Sequence, residues 1–229
     1  MEAVVFDLDG VIVESERIWD EARRELVART GGTWKDEATR AMMGMSSPEW
    51  TRYLHDELGV PLPVEEIGPA VVAEMERRYR ERLPLIPGAV DTVKALAAEW
   101  PLGLASSSNR PIIDLVLAEA GIADAFAATV SSEEVARGKP APDLFLHAAA
   151  RMGADPRACV VVEDSGAGLA AGQAAGMQVW HFTGGSHFAV MDLPLPEGLR
   201  PHRRFASFAD MRAALPELFP IPADIVRSA

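Results

Sequence analysis

The segment Ala3-Val4-Val5-Phe6-Asp7-Leu8-Asp9-Gly10 decides the reading of this chain. Four apolar residues make a short strand, enough for a buried sheet position and too few for a helix. Asp7 and Asp9 follow at a spacing of two, which on an extended chain turns both carboxylates to the same side. Gly10 then lets the backbone turn sharply away. In an open parallel sheet, ligands bind outside the carboxyl ends of the strands, so two carboxylates there predict a reactive site. Taken alone, the same pattern also describes an acidic strand end feeding a turn.

Further apolar runs bounded by turn residues recur at Leu102 to Ala105, Ala128 to Val130, Val160 to Val162 and Val179 to Phe182, with helical segments between them. That alternation predicts an α/β fold, a doubly wound, Rossmann-like parallel sheet with helices on both faces. The interval from Phe6 to Leu102 far exceeds the roughly dozen residues that one crossover helix needs, so something is inserted there. From Ser15 to Leu83 the pattern is helical: Ile18, Trp19, Ala22, Leu26 and Val27 stop at Gly31-Gly32, and Ser47-Pro48 opens a second helix that ends at Gly59. Val64 to Arg82 makes a third, and Leu83 to Gly88 reads as a stiff return linker. The expected organisation is a core of residues 1–14 and 84–229 with an all-helical cap over 15–83.

A second acidic strand end, Val160-Val161-Val162-Glu163-Asp164, is the decisive companion to Asp7 and Asp9. Four converging carboxylates repel one another unless a cation neutralises them, and an all-oxygen site suits Mg2+. Asp7, Asp9, Glu163 and Asp164 are therefore the metal candidates, although Asp164-Ser165-Gly166 also reads as the start of a helix. The turn Ser106-Ser107-Ser108-Asn109-Arg110-Pro111 offers hydroxyls and free N–H groups to an anion, or simply caps a helix. Gly138-Lys139-Pro140-Ala141-Pro142 holds one lysine between residues that fix the backbone, which favours a positioned charge. Ser106, Ser107 and Lys139 are the phosphate-binding candidates.

With these four motifs in this order, the chain resembles the haloacid dehalogenase superfamily, within it the helical-cap phosphatases and phosphomutases such as the beta-phosphoglucomutase-like sugar phosphatases. The resemblance implies that Asp7 attacks phosphorus to form an aspartyl phosphate and that Asp9 protonates the leaving oxygen and later activates water. It further implies that Ser106 and Lys139 bind phosphoryl oxygens, and that Asp7, the Asp9 carbonyl and Asp164 hold magnesium. Dehalogenases of the superfamily need no second aspartate, so Asp9 argues against them. Phosphomutase action stays open, but the histidine and arginine typical of a mutase cap are replaced by Trp19 and by the run Gly44-Met45-Ser46-Ser47. A regulatory module without turnover would be expected to lack Asp7, Asp9 or Lys139.

Trp19 and Trp50 either line a substrate pocket or fill the cap's own core. Met43, Met45, Ser46 and Ser47 form the loop that the resemblance turns toward the site, and Thr183 to His187 either borders the leaving group or is a plain glycine turn. No role follows for Met191 to His202. With 34 acidic against 22 basic residues and a net charge of -12, no nucleic-acid or anionic-membrane partner is expected. The single Cys159, inside an apolar run, reads as a core thiol. The N-terminus has no signal-peptide pattern and no apolar stretch approaches the ~20 residues of a membrane span, so a cytoplasmic monomer or weak dimer acting on a small phosphorylated metabolite is expected.

Overall fold

The computed structural model describes residues 1–42, 45, 47–185, 195 and 198–218. Six strands run parallel in one sheet of order β3-β2-β1-β4-β5-β6, comprising β1 Ala3–Phe6, β2 Leu102–Ser106, β3 Ala128–Ser131, β4 Cys159–Glu163, β5 Gln178–Phe182 and β6 Arg203–Phe205. The chain therefore builds one side of the sheet from β1 outward and then returns to lay β4 beside β1. The five strands expected from apolar runs are all present. The sixth escaped because Arg203-Arg204-Phe205 has no apolar run; pairing with β5 and the stacking of Phe205 against Trp180, ring centroids 5.5 Å apart, hold it in place.

Every residue of β1, β2 and β4 is buried, because helices cover both faces of the sheet. Val5, Ala105, Val130, Val161 and Val179 face α7 (Asp143–Met152) and α8 (Gly166–Ala174). Val4, Phe6, Leu104, Val162 and Trp180 face the other way, in a cluster shared with α5 (Ala89–Ala97), α6 (Arg110–Glu119) and α9 (Phe208–Leu218). Cys159 is buried on the α7 and α8 side with Val5 and Val161, and burial pushes its thiol up to about 11, as a core residue requires.

Between β1 and β2 the chain is helical: α1 Glu16–Thr30, α2 Ala38–Met42, α3 Ser47–Asp56 and α4 Val64–Glu81. α1 ends as its sequence indicates, with Gly31 at φ 84° returning its N–H to Ala28 and Val27 carbonyls. α4 packs against α1 and α3 and reaches α6. Trp19, Leu54, Ile67, Met75 and Tyr79 of this insert belong to the same continuous apolar cluster as Val4 and Phe6 of the sheet. The outgoing and returning linkers are paired: Glu14 N–H donates to the Pro84 carbonyl at 2.8 Å and Ile86 N–H to the Ile12 carbonyl at 2.9 Å. No helix among the described residues is long and apolar enough to cross a membrane.

Candidate active site

The register of the two central strands places the site. β1 pairs Phe6 with Val162 of β4, and Asp7 N–H extends the ladder to the Val162 carbonyl at 3.0 Å, so Asp7 and Glu163 emerge side by side. This is where the strand order reverses, the point at which an open parallel sheet offers a crevice. Asp7, Glu163 and Asp164 are all buried there.

Lys139 reaches the crevice from the loop before α7. Its Nζ donates to Asp7 Oδ1 at 2.8 Å and to Glu163 Oε1 at 2.7 Å, with its side chain 6% exposed. Burial opposes the ammonium charge, but Asp7 and Glu163 together hold the Lys139 pKa above its ordinary value. One lysine does not neutralise three acids. Burial pushes Asp7 well above the usual carboxylate range; Lys139 pulls it back, and Glu163, Asp164 and Asp9 push it further up. Burial also raises Asp164, with Glu163 adding to the effect and Lys139 opposing it. One oxygen from each of Asp7, Glu163 and Asp164 lies within 4.8 Å of the others. Three hard oxygen donors with excess negative charge are a donor set that fits magnesium.

The fourth metal candidate faces elsewhere. The Asp9 carboxylate accepts from the Ser108 hydroxyl at 2.6 Å, the Ser106 hydroxyl at 3.1 Å and the Trp19 indole N–H at 3.4 Å. Its carboxylate is not among the three that gather, so as a metal candidate it retains only its main chain. Glu163 is pinned from both sides, since its second oxygen accepts the Ser165 N–H at 2.6 Å. Gly168 in α8 is why it fits: a Cβ there would stand 1.6 Å from Glu163 Oε1.

The three serines of the turn differ in burial and partners. Ser106 is buried at the end of β2, but Ser107 is exposed, and its carbonyl accepts the Ser132 hydroxyl at 2.9 Å. Ser108, which the sequence reading passed over, is the buried hydroxyl closest to Asp9. His181 was also missed: its Nε2 donates to the Asp164 main-chain carbonyl at 3.2 Å, and burial keeps its pKa below the ordinary value. A histidine one residue inside a strand end gives little sequence signal.

Trp19 and Trp50 are buried against each other, centroids 6.1 Å apart, and Trp19 also touches Asp9. From the expected cap loop, Met45 packs on the apolar cluster and the Ser47 hydroxyl reaches Asn109 Oδ1 at 3.5 Å. Met43, Gly44 and Ser46 lie outside the described residues, as do Ser186 and His187. Thr183 N–H is tied to the Phe205 carbonyl of β6 at 2.8 Å.

Comparison with known proteins finds relatives over most of the chain. The chain is 31% identical over 182 residues to a bifunctional riboflavin kinase/FMN phosphatase of Arabidopsis thaliana, covering 77% of this chain and 47% of that one, about half its length. It is 33% identical over 228 residues to a probable pseudouridine-5'-phosphatase of Drosophila melanogaster, covering 96% and 94% of the two chains. Among solved structures, a HAD family hydrolase from Deinococcus radiodurans R1 with bound phosphate and sodium superposes with a TM-score of 0.66 at 34% identity, covering 95% of this chain and 96% of that one. A sequence model described as haloacid dehalogenase-like hydrolase matches residues 1–176, from before β1 to beyond α8, and so takes in all four motifs. The chain belongs to the haloacid dehalogenase-like hydrolases.

Proposed function

We propose that this chain is a magnesium-dependent phosphatase that hydrolyses a small phosphomonoester, a sugar phosphate, through an aspartyl phosphate on Asp7. The observation that carries the reading is the buried Asp7 carboxylate, held by Lys139 at 2.8 Å beside Glu163 and Asp164. A carboxylate attacks an anionic phosphate only where the repulsion is screened, and Lys139 supplies a fixed positive charge at that atom. Asp7 and Asp164, with the Asp9 carbonyl, would hold magnesium; when bound it neutralises charge on the phosphoryl oxygens. Glu163 acts chiefly by orienting Lys139, since both its oxygens are engaged.

In the first step an Asp7 oxygen bonds to phosphorus, the ester P–O bond breaks, and Asp9 gives its proton to the leaving oxygen. In the second, Asp9 takes a proton from water as the water oxygen attacks phosphorus, releasing phosphate and restoring Asp7. The Ser106 hydroxyl, which contacts Asp9 at 3.1 Å, is a donor that a phosphoryl oxygen can claim, and that exchange would free Asp9 to turn toward the leaving group. Ser107 offers backbone N–H and hydroxyl donors at the same turn. We assign the core to residues 1–14 and 84–229 and the cap to 15–83, whose helices would close over the site and exclude bulk water.

A sugar phosphate is supported by the relatives: FMN and pseudouridine 5'-phosphate both carry phosphate on a primary hydroxyl of a five-carbon polyol or sugar. Phosphomutase action is not adopted. The position of the mutase histidine is taken here by Trp19, and an indole N–H can hold Asp9 but cannot exchange a proton with it at neutral pH. The test is phosphate release from a panel of sugar phosphates, phosphoglycolate and nucleoside monophosphates, with magnesium and with chelator. We expect steady release that chelation abolishes and magnesium restores. Full activity in excess chelator overturns the metal assignment, and rapid isomerisation of beta-glucose 1-phosphate with little phosphate release overturns the phosphatase.

A further inference from the structure

Arg23 of α1 is a half-buried arginine whose Nε has no partner among the described residues. Its guanidinium carbon lies 5.1 Å from the Trp19 ring centroid and 5.0 Å from that of Trp50, so two indole faces hold the plane. Its Nε is out of reach of solvent and has no hydrogen-bond acceptor among the described residues. Two of the three nearby acids are committed elsewhere: Asp20 to Arg24 and Thr39, and Asp9 to Ser106, Ser108 and Trp19. Arg78 on α4, by contrast, engages Glu21, Glu25 and Glu74 at once. Burial lowers the Arg23 pKa to about 10 against the pull of Glu16, Asp20 and Asp9, which fits a largely enclosed cation with no ion pair among the described residues. A buried donor without an acceptor costs stability, and a planar guanidinium fork that two aromatic faces keep in place is suited to a ligand.

Trp19 connects this fork to the chemistry. Its indole N–H touches the Asp9 carboxylate and its face carries Arg23. Asp9 is the group that meets the leaving oxygen in the proposed reaction, so Arg23 stands one ring away from the leaving group. We propose that Arg23 is the residue that recognises the leaving group, donating to the hydroxyl oxygens of a polyol or sugar ester while its phosphate sits at Asp7. A neutral, oxygen-rich leaving group is favoured over a second anion, because Asp9, Glu16 and Asp20 already surround the guanidinium with negative charge. The inference rests on the phosphatase reading.

The experiment compares kcat/KM for ribose 5-phosphate, whose leaving group is rich in acceptors, with that for phenyl phosphate, whose leaving group has none beyond the ester oxygen. For Arg23→Met we expect the ratio of the two to fall at least tenfold, mostly through KM for ribose 5-phosphate. Arg23→Lys, which keeps the charge and loses the planar fork, should lower the ratio by an intermediate amount. Both variants are checked for a cooperative thermal transition, and the lysine variant carries the test if the methionine variant does not fold. An unchanged ratio, with both esters slowed equally or neither affected, overturns the assignment and leaves Arg23 a packing residue for the tryptophans. If the parent releases phosphate from neither ester, the sugar-phosphate reading fails, and this one with it.

Discussion

Lys139 and Arg78 each bind more than one carboxylate, yet they stand in opposite parts of the molecule. Lys139 lies in the sheet crevice with a side chain 6% exposed, against Asp7 and Glu163 at 7% and 0%. Arg78 lies on the outer side of the insert at 22% exposure, among Glu74, Glu21 and Glu25 at 16%, 40% and 47%. In the crevice, low polarizability magnifies every charge, and removal of one partner leaves another stranded. On the insert, water and salt screen the same kind of pairing down to a small stabilisation. Similar contacts thus shape the proposed site in one place and helix packing in the other.

The sharpest break is Asp7→Asn, which keeps shape and removes the proposed nucleophile. Phosphate release should fall by three or more orders of magnitude with an unaltered circular dichroism spectrum. Activity within about tenfold of the parent would end the assignment of Asp7. Gly168→Ala comes next: its Cβ would stand 1.6 Å from Glu163 Oε1, so Glu163 must shift and take Lys139 with it. We expect kcat to drop by roughly 10- to 100-fold and stability to fall by about 1–3 kcal/mol, measured by steady-state kinetics and urea unfolding. Parent-like kinetics would show that Glu163 does not position the lysine.

A milder loss is expected for Ser108→Ala, which removes the 2.6 Å hydrogen bond to Asp9. One hydrogen bond to a charged group suggests a decrease in kcat of about tenfold, from roughly 1.5 kcal/mol, with no change in magnesium dependence. The smallest effect falls on the insert, where Arg78→Ala should cost about 1 kcal/mol and leave kcat within twofold. The pH dependence of that difference sharpens the contrast. Arg77 brings Glu74 down to about 2, with burial opposing it and Arg78 adding to the pull. A carboxylate depressed on folding stabilises above its unfolded pKa of about 4.3 and loses that contribution as pH falls toward its folded value. The gap between parent and Arg78→Ala in unfolding free energy should therefore stay level from pH 7 to 5 and shrink toward pH 2.

The crevice was more legible than the insert, for a physical reason. Asp7, Asp9, Glu163 and Asp164 follow apolar runs directly, and a parallel sheet delivers such strand ends to one edge whatever the loops do. Lys139 was legible because Pro140 restricts the backbone of the residue before it. What escaped depends on distant packing. Ser108 and Ser107 are indistinguishable neighbours until the turn closes and one is buried against Asp9 while the other is exposed. Gly168 carries meaning only once α8 meets the Glu163 side chain, and Arg23 looks like any charged helix residue until two tryptophans from different helices enclose it. β6 is held by its neighbour and not by its own composition.

The pairing of the two linkers has a consequence for engineering. Residues 12–14 and 84–86 lie against each other, joined by hydrogen bonds of 2.8 and 2.9 Å and by the Val13–Leu85 bridge. The chain therefore departs from the sheet and rejoins it at a single doorway. Everything between those points can be treated as a cassette: a short turn from Glu14 to Pro84, or a foreign insert with close-set ends, asks no strand of the sheet to change register. A stripped version of this kind would separate what the crevice does alone from what the helices above it contribute.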